Sequence, residues 1–411
     1  MPRSLVHSIT NPLRWADYAK KHNVKDTSIF NLEDYNSGSK IEEPQYLSLR
    51  AYWSIVDADF FEPDKWGIRD VDTAGGELKK LPHWDEFMNQ VGFRGPIETI
   101  LPIDPKLGVF SNTWYQIQQI RSSKPSADQE SNVDFSPAVT RLRSRLDKQS
   151  KVASDIFTGS PAHSPTRLTR RLQEISLGRP EQEQVGEASA DNATWDFDNT
   201  SSPPDDIKKD PTFKFQETFL PVSDETLVNA FIISLAAAVT FSTPGVKALW
   251  SLERKGYTVG IDNDTKIFTA RTDGHLSLPH LTYSKIIVEV KGMTRESSAR
   301  IRMQEVAEMA AWIHAEPDII PEGMRNVPLR DIWFRHMMLC CDRHEVCLVF
   351  ADYNADYIDY ITNATRESSC QSFLVMNELG PWNITVPVDI EIIASVLLAV
   401  TLQFSKEQSL L

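Results

Sequence analysis

A chain of 411 residues with 41% hydrophobic content can bury two or three cores, so a globular enzyme is within its means. Its formal charge of -14 repels phosphate overall, which argues against a sequence-specific DNA binder. Contact with nucleic acid then needs a local basic patch or a metal ion.

The N-terminal stretch "MPRSLVHSITNPLRWADYAKK" lacks the apolar block and small-residue cleavage site of a signal peptide, so the expected location is nucleus or cytoplasm. Cys340, Cys341, Cys347 and Cys370 show no disulfide-framework spacing, which agrees with reduced thiols. No run reaches the ~20 apolar residues of a membrane helix, and residues 231–241 are too short and carry Ser234 and Thr240. No membrane association is expected.

Residues 1–118 are rich in tryptophan and proline and are expected to form a small helical region of their own, of unknown role. Residues 119–212 turn to Ser, Pro, Asp, Gln and Arg, a composition that buries too little surface to order itself, and read as a largely disordered linker. Two short helices, "SPAVTRLRSRLDKQ" and "SPTRLTRRLQEISL", are expected within it. Their arginines read as a solvated face, with a nuclear-localisation or phosphate-contacting patch as the alternative. Ser136, Ser160 and Ser164 each precede a proline and are candidate phosphorylation sites.

From Phe213 the pattern becomes regular. "SDETLVNAFIISLAAAVTF" predicts a mostly buried helix capped by Ser223. "KIFTARTDGHLSL" alternates like a strand and leads into the strand "KIIVEVKG". "SSARIRMQEVAEMAAWIHAEP" predicts a helix with Val306, Met309, Ala310 and Ile313 on its apolar face. "EVCLVFADY" and "SFLVMNELG" predict strands separated by the helix "NADYIDYITNATRE", and a helix over residues 389–404 closes the segment. The whole is an α/β arrangement, one mixed sheet flanked by helices.

Alternation along "KIIVEVKG" puts Ile287, Glu289 and Lys291 on one face, with Glu289 and Lys291 roughly 7 Å apart along the strand. A carboxylate on a central strand is costly unless it is paired or holds a metal ion. Asp273, near the end of the preceding strand, comes alongside Glu289 if the two strands pair antiparallel. Two adjacent carboxylates repel, and Mg²⁺ relieves that while needing only one or two protein carboxylates. The bare acid-x-Lys pattern is not distinctive: it recurs at Glu77, Asp104, Asp206, Glu253 and Asp264. Only at Glu289 does it follow an Ile-Ile-Val strand, an upstream strand bearing an acid and a capped helix.

With "RTDGHL", "KIIVEVKG", "MQEVAEMAAWI" and "DRHEVCLVFADY" in this order, residues 213–411 resemble the PD-(D/E)XK nuclease superfamily, specifically a nuclease-like domain common in fungal proteins. The resemblance implies a restriction-endonuclease-like core of helix, three strands, helix, strand. It implies that Asp273 and Glu289 bind Mg²⁺ (or Mn²⁺) together with the backbone carbonyl of Val290, and that Lys291 places or polarises the attacking water. It also implies a glutamate from the first helix, best matched by Glu225 with Glu217 behind it, and a glutamine from the following helix, Gln304, with Glu308 one turn later. Thr272 stands where the family often has proline. The expected function is Mg²⁺-dependent hydrolysis of phosphodiester bonds in DNA. The rival expectation is an inactive nuclease-like fold acting as an interaction or scaffold protein.

Bland readings stand beside these. Asp273, Glu289 and Lys291 could form a structural ion pair, Gln304 could sit on a solvated helix face, and Glu225 could serve only the helix N-terminus. His275 and His280 suit Mg²⁺ poorly, because it prefers oxygen. His336, Cys340, Cys341, His344 and Cys347 are possible zinc ligands, but their spacing is irregular. Phosphate-loop, dinucleotide and nucleophile-elbow motifs are absent from the sequence.

Overall fold

The computed structural model describes residues 5–93, 95, 101–123, 222, 224–262, 264–279, 281–366 and 370–407. The two expected linker helices, the three candidate phosphorylation sites, Glu217, Ser223 and His280 lie outside the described residues.

The described strands are β1 (Ala51–Asp57), β2 (Leu249–Ser251), β3 (Gly256–Gly260), β4 (Lys266–Arg271), β5 (Gly274–Ser277), β6 (Ile286–Lys291), β7 (Trp333–Asp342), β8 (Glu345–Asn354) and β9 (Leu374–Asn383). The helices are α1 (Leu5–Ser8), α2 (Pro12–Lys21), α3 (Glu43–Ser48), α4 (Val71–Leu78), α5 (Trp84–Val91), α6 (Ser111–Ser122), α7 (Glu225–Thr240), α8 (Ala299–Ala315), α9 (Ala355–Thr362) and α10 (Pro387–Glu407). Seven strands form one mixed sheet in the order β1-β9-β8-β7-β6-β5-β2, while β3 and β4 make a separate ribbon. β6 runs parallel to β7, and β1 parallel to β9; the other neighbours are antiparallel.

Helices cover both faces of this sheet, as an α/β fold with buried central strands requires. On one face α4, α5, α6, α7 and α10 pack with Ile286, Val288 and Val290 of β6. On the other, α2, α3, α8, α9 and the β3–β4 ribbon pack with Ile287. The period-2 reading of β6 therefore holds, and the expected apolar face of α8, Val306, Met309, Ala310 and Ile313, is fully buried.

Four expectations need correction. Residues 1–118 are not a helical region of their own: the described residues before 124 and after 221 form one unit. β1 extends the common sheet, and Tyr357 Oη and Tyr360 Oη donate to the carbonyls of Leu49 and Ser48 at 2.9 and 2.6 Å. An edge strand finds its partner more than 300 residues away, so no local pattern could announce it.

Next, "KIFTARTDGHLSL" is two strands, not one. The chain breaks at Thr272–Asp273, where β4 leaves the ribbon and β5 enters the main sheet. Gly274 is required there because a Cβ would stand 2.6 Å from the Ser251 carbonyl oxygen of β2. The cap of α7 is Asp224, whose side chain accepts from the Thr226 N–H. Finally, residues 387–406 are long and apolar enough to cross a membrane by length and composition, contrary to the expectation; 61% of that window is buried inside the fold.

Candidate active site

Antiparallel pairing of β5 with β6 sets Gly274 opposite Val288, so the next step of the register brings Asp273 to Glu289. The Asp273 N–H donates to the Val288 carbonyl at 2.8 Å, and Asp273 Oδ2 accepts from the Val290 N–H at 3.1 Å. From α7, Asn229 Nδ2 donates to the Asp273 carbonyl at 2.8 Å. Asp273 Oδ1 is held at 2.6 Å by the guanidinium of Arg254, from the loop between β2 and β3. That loop is tied to the strand break: Thr272 Oγ1 accepts from the Lys255 N–H, and the Thr272 N–H donates to the Lys255 carbonyl.

Glu289 is 1% exposed, and its Oε1 accepts from Lys291 Nζ and, at 2.6 Å, from Gln304 Nε2 of α8. The same Gln304 amide reaches Glu308 Oε1 at 2.8 Å, one helical turn on. Lys291 Nζ also donates to the Val290 carbonyl at 3.1 Å. At the start of α7, Glu225 Oε1 accepts from the Gly292 N–H at 3.4 Å, and the Val222 N–H ties the entry of the helix to the Gly292 carbonyl. Asp273, Glu225, Glu289, Val290, Lys291 and Gln304 thus meet, contributed by α7, α8, β6 and the turn before β5.

Four carboxyl groups, Asp273, Glu225, Glu289 and Glu308, share this space with two cations, Lys291 and Arg254. The surplus of acid shows in the proton affinities. Burial first, then the neighbouring Glu308, pushes Glu289 well above the usual carboxylate range. Burial pushes Glu308 up to about 8 against the pull of Lys291. Burial likewise raises Glu225, with Lys291 the main opposing influence. For Lys291 burial disfavours the ammonium, but Glu289, Glu225, Asp273 and Glu308 together hold it well above its ordinary value. Glu289 Oε2 and Glu308 Oε2 are buried acceptors without a hydrogen-bond partner, and a proton held between them, or a cation, would satisfy both.

Among the described residues, no three His, Cys, Asp or Glu side chains gather closely enough to hold a metal ion unaided. The donors present are nonetheless of the oxygen type that Mg²⁺ prefers. Asp273, Glu289 and the Val290 carbonyl are hard oxygen donors, Glu289 Oε2 has no hydrogen-bond partner, and Mg²⁺ keeps several waters. His275 is not among them: its Nδ1 lies 2.9 Å from the Glu253 carbonyl.

Further along α8 lies a second buried polar cluster that the sequence reading missed. Arg295 reaches Asp342 at 2.6 Å, Glu305 at 2.9 Å and Glu378 at 2.8 Å, while Arg302 grips Glu378 through Nε and Nη2 at 2.7 and 2.8 Å. Both arginines are almost fully buried. The arginines hold Glu378 down at about 2 in spite of its burial, whereas burial lifts Glu305 to about 7. The possible zinc residues do not converge: Cys340 and Cys347 belong to one core and Cys341 to the opposite one, and His336 Nε2 pairs with Asp318 at 3.1 Å.

Arg254 and Asn229 are the site residues that sequence reasoning did not single out. Asn229 had a signal, as a polar residue one turn after Glu225 on an otherwise apolar helix. Arg254 sits in Glu253-Arg254-Lys255, one of the acid-x-Lys repeats set aside as noise. No family model, curated protein or solved structure matches the chain.

Proposed function

We propose that this protein is a divalent-metal-dependent nuclease of the PD-(D/E)XK kind that hydrolyses phosphodiester bonds in DNA. The observation that carries the reading is the meeting of the Asp273 and Glu289 carboxylates with the Lys291 ammonium at one end of β6, with Gln304 donating to Glu289. Chain order supports it as well: α7, then β2, β5 and β6 as adjacent antiparallel strands, then α8, then β7 parallel to β6. With the β3–β4 ribbon as an excursion, this is the helix, three strands, helix, strand order that the resemblance implies. The four cysteines are buried and free, which agrees with a nuclear or cytoplasmic setting.

Asp273, Glu289 and the Val290 carbonyl would hold Mg²⁺ or Mn²⁺, which when bound stabilises charge growing on the phosphate oxygens and makes water a stronger nucleophile. The chain's own groups do the rest. Gln304 fixes the rotamer of Glu289, and Asn229 fixes the peptide of Asp273. Lys291, whose ammonium donates to Glu289 and to the Val290 carbonyl, acts as an electrostatic and orienting group for water. Glu225 steadies the chain at Gly292.

Purified protein incubated with Mg²⁺ or Mn²⁺ and single- or double-stranded DNA should cut it, with RNA as the comparison substrate. Lys291→Ala should lower the rate about 100-fold or more, the scale seen when one charge-stabilising donor is removed. Equal cleavage by this variant would overturn the reading. A non-catalytic interaction module is the second reading, favoured by closure of the site: Glu289 is 1% exposed and the Lys291 side chain 13%.

A further inference from the structure

Each oxygen of the Asp273 carboxylate already has a partner. Oδ2 accepts the Val290 N–H, and Oδ1 accepts the Arg254 guanidinium at 2.6 Å. Glu289 differs, because Lys291 and Gln304 share its Oε1 and leave Oε2 without a hydrogen-bond partner. A cation bridging the two acids therefore finds an unpartnered oxygen on Glu289, whereas at Asp273 Oδ1 it meets the positive charge of Arg254. Val290 N–H is fixed in the backbone of β6. The Arg254 side chain is 34% exposed and belongs to a loop, so it is the group that can swing out.

Resting on the nuclease reading, we propose that Arg254 is a built-in counterion that occupies the place of the divalent cation at Asp273 and is exchanged for it. In the metal-free protein the guanidinium offsets one charge of an acid-rich site and keeps Asp273 in its binding geometry. When a divalent cation enters, two positive charges cannot share the same oxygen in a partly buried site, and the guanidinium leaves. The exchange lowers apparent metal affinity by the free energy of the Arg254–Asp273 pair. It also frees a guanidinium on the partly exposed side of the site. Thr272 supports the exchange mechanically: it pins the backbone of Lys255 to the strand break, so the side chain of Arg254 moves while its loop stays.

The test is calorimetric titration of Mn²⁺ into the full-length wild-type protein, Arg254→Gln, Arg254→Lys and Asp273→Asn. Arg254→Gln should bind Mn²⁺ about tenfold more tightly than wild type, the scale of a partly exposed ion pair with added repulsion. Arg254→Lys keeps the charge and should stay within about threefold of wild type, and Asp273→Asn should lose the site. If wild type binds Mn²⁺ and Arg254→Gln binds equally or more weakly, the counterion role is wrong while the metal site stands. If wild type, Arg254→Gln and Asp273→Asn all fail to bind, the nuclease reading falls and takes the inference with it. Should Arg254→Gln not fold, dicarbonyl modification of Arg254 in the wild type, read by mass spectrometry, replaces it. Faster modification with Mn²⁺ supports release of the guanidinium, and an unchanged rate overturns it.

Discussion

The helix α8 covers two buried polar clusters, and they differ in how their charges are met. At the Arg295–Arg302 cluster, rigid guanidinium forks reach Glu305, Asp342 and Glu378, and Glu378 alone takes three contacts between 2.7 and 2.8 Å. At the Asp273–Glu289 cluster four acids face one lysine and one partly exposed arginine, and two carboxylate oxygens have no partner. The first joins α8 to β7 and β9 through two almost fully buried arginines that face three acids, although Glu305 Oε2 and Asp342 Oδ1 have no partner there either. The second has the larger share of acids, whose ionised forms cost stability in the folded chain and are relieved by a proton or a cation. Buried charge alone therefore does not mark a functional site; the second cluster is set apart by its larger share of acids and by the partly exposed Arg254.

The largest effect that separates the clusters is neutralising one acid in each. Glu378→Gln should lose about 3 kcal/mol in denaturant unfolding at pH 7, because it strands two buried guanidinium groups that now hold that carboxyl charged. The sign follows from its depressed value: the contribution is present above the ordinary glutamate range and is lost only as pH falls towards 2. Glu308→Gln should do the opposite and stabilise the metal-free protein by about 1 kcal/mol near pH 8.5, since an amide mimics the protonated acid next to Glu289. Equal losses in both variants would erase the distinction between the clusters.

A smaller effect is the slope of stability with pH. Glu305 and Glu308 keep protons in the folded chain that the unfolded chain releases above about pH 4.5. Stability they confer is therefore complete below that value and is lost as pH rises, through about 7 for Glu305 and about 8 for Glu308. Thermal melts of Glu305→Gln against wild type should diverge between pH 4.5 and 7 by up to ~1.4 kcal/mol per pH unit and run parallel above it. A constant offset across the whole range would mean that Glu305 is ionised throughout.

Much of the candidate site was legible because its logic is local. Period 2 in "KIIVEVKG" put Glu289 and Lys291 on one face, and helical spacing put Gln304 and Glu308 on one side of α8. The position of Asp273 followed from a short connection between antiparallel neighbours. What was not legible depends on long-range contact. β1 reads as an apolar patch until β9 is beside it, and β7, with its histidine and cysteines, drew attention as a ligand run when its thiols pack into opposite cores. Arg295 and Arg302 look like polar residues at and before the start of a helix, and only the tertiary fold brings Glu378 to them. Arg254 was hidden for a different reason: a lone arginine in a loop gives no periodic signal at all.

The most direct measurement is anomalous diffraction at the manganese edge from crystals of the full-length protein soaked in Mn²⁺. The account predicts one strong peak within coordination distance of the Asp273 and Glu289 carboxylates and the Val290 carbonyl, with the Arg254 guanidinium turned away from Asp273. Crystals that take up Mn²⁺ only elsewhere, or that keep Arg254 paired with Asp273 at saturating Mn²⁺, would contradict it.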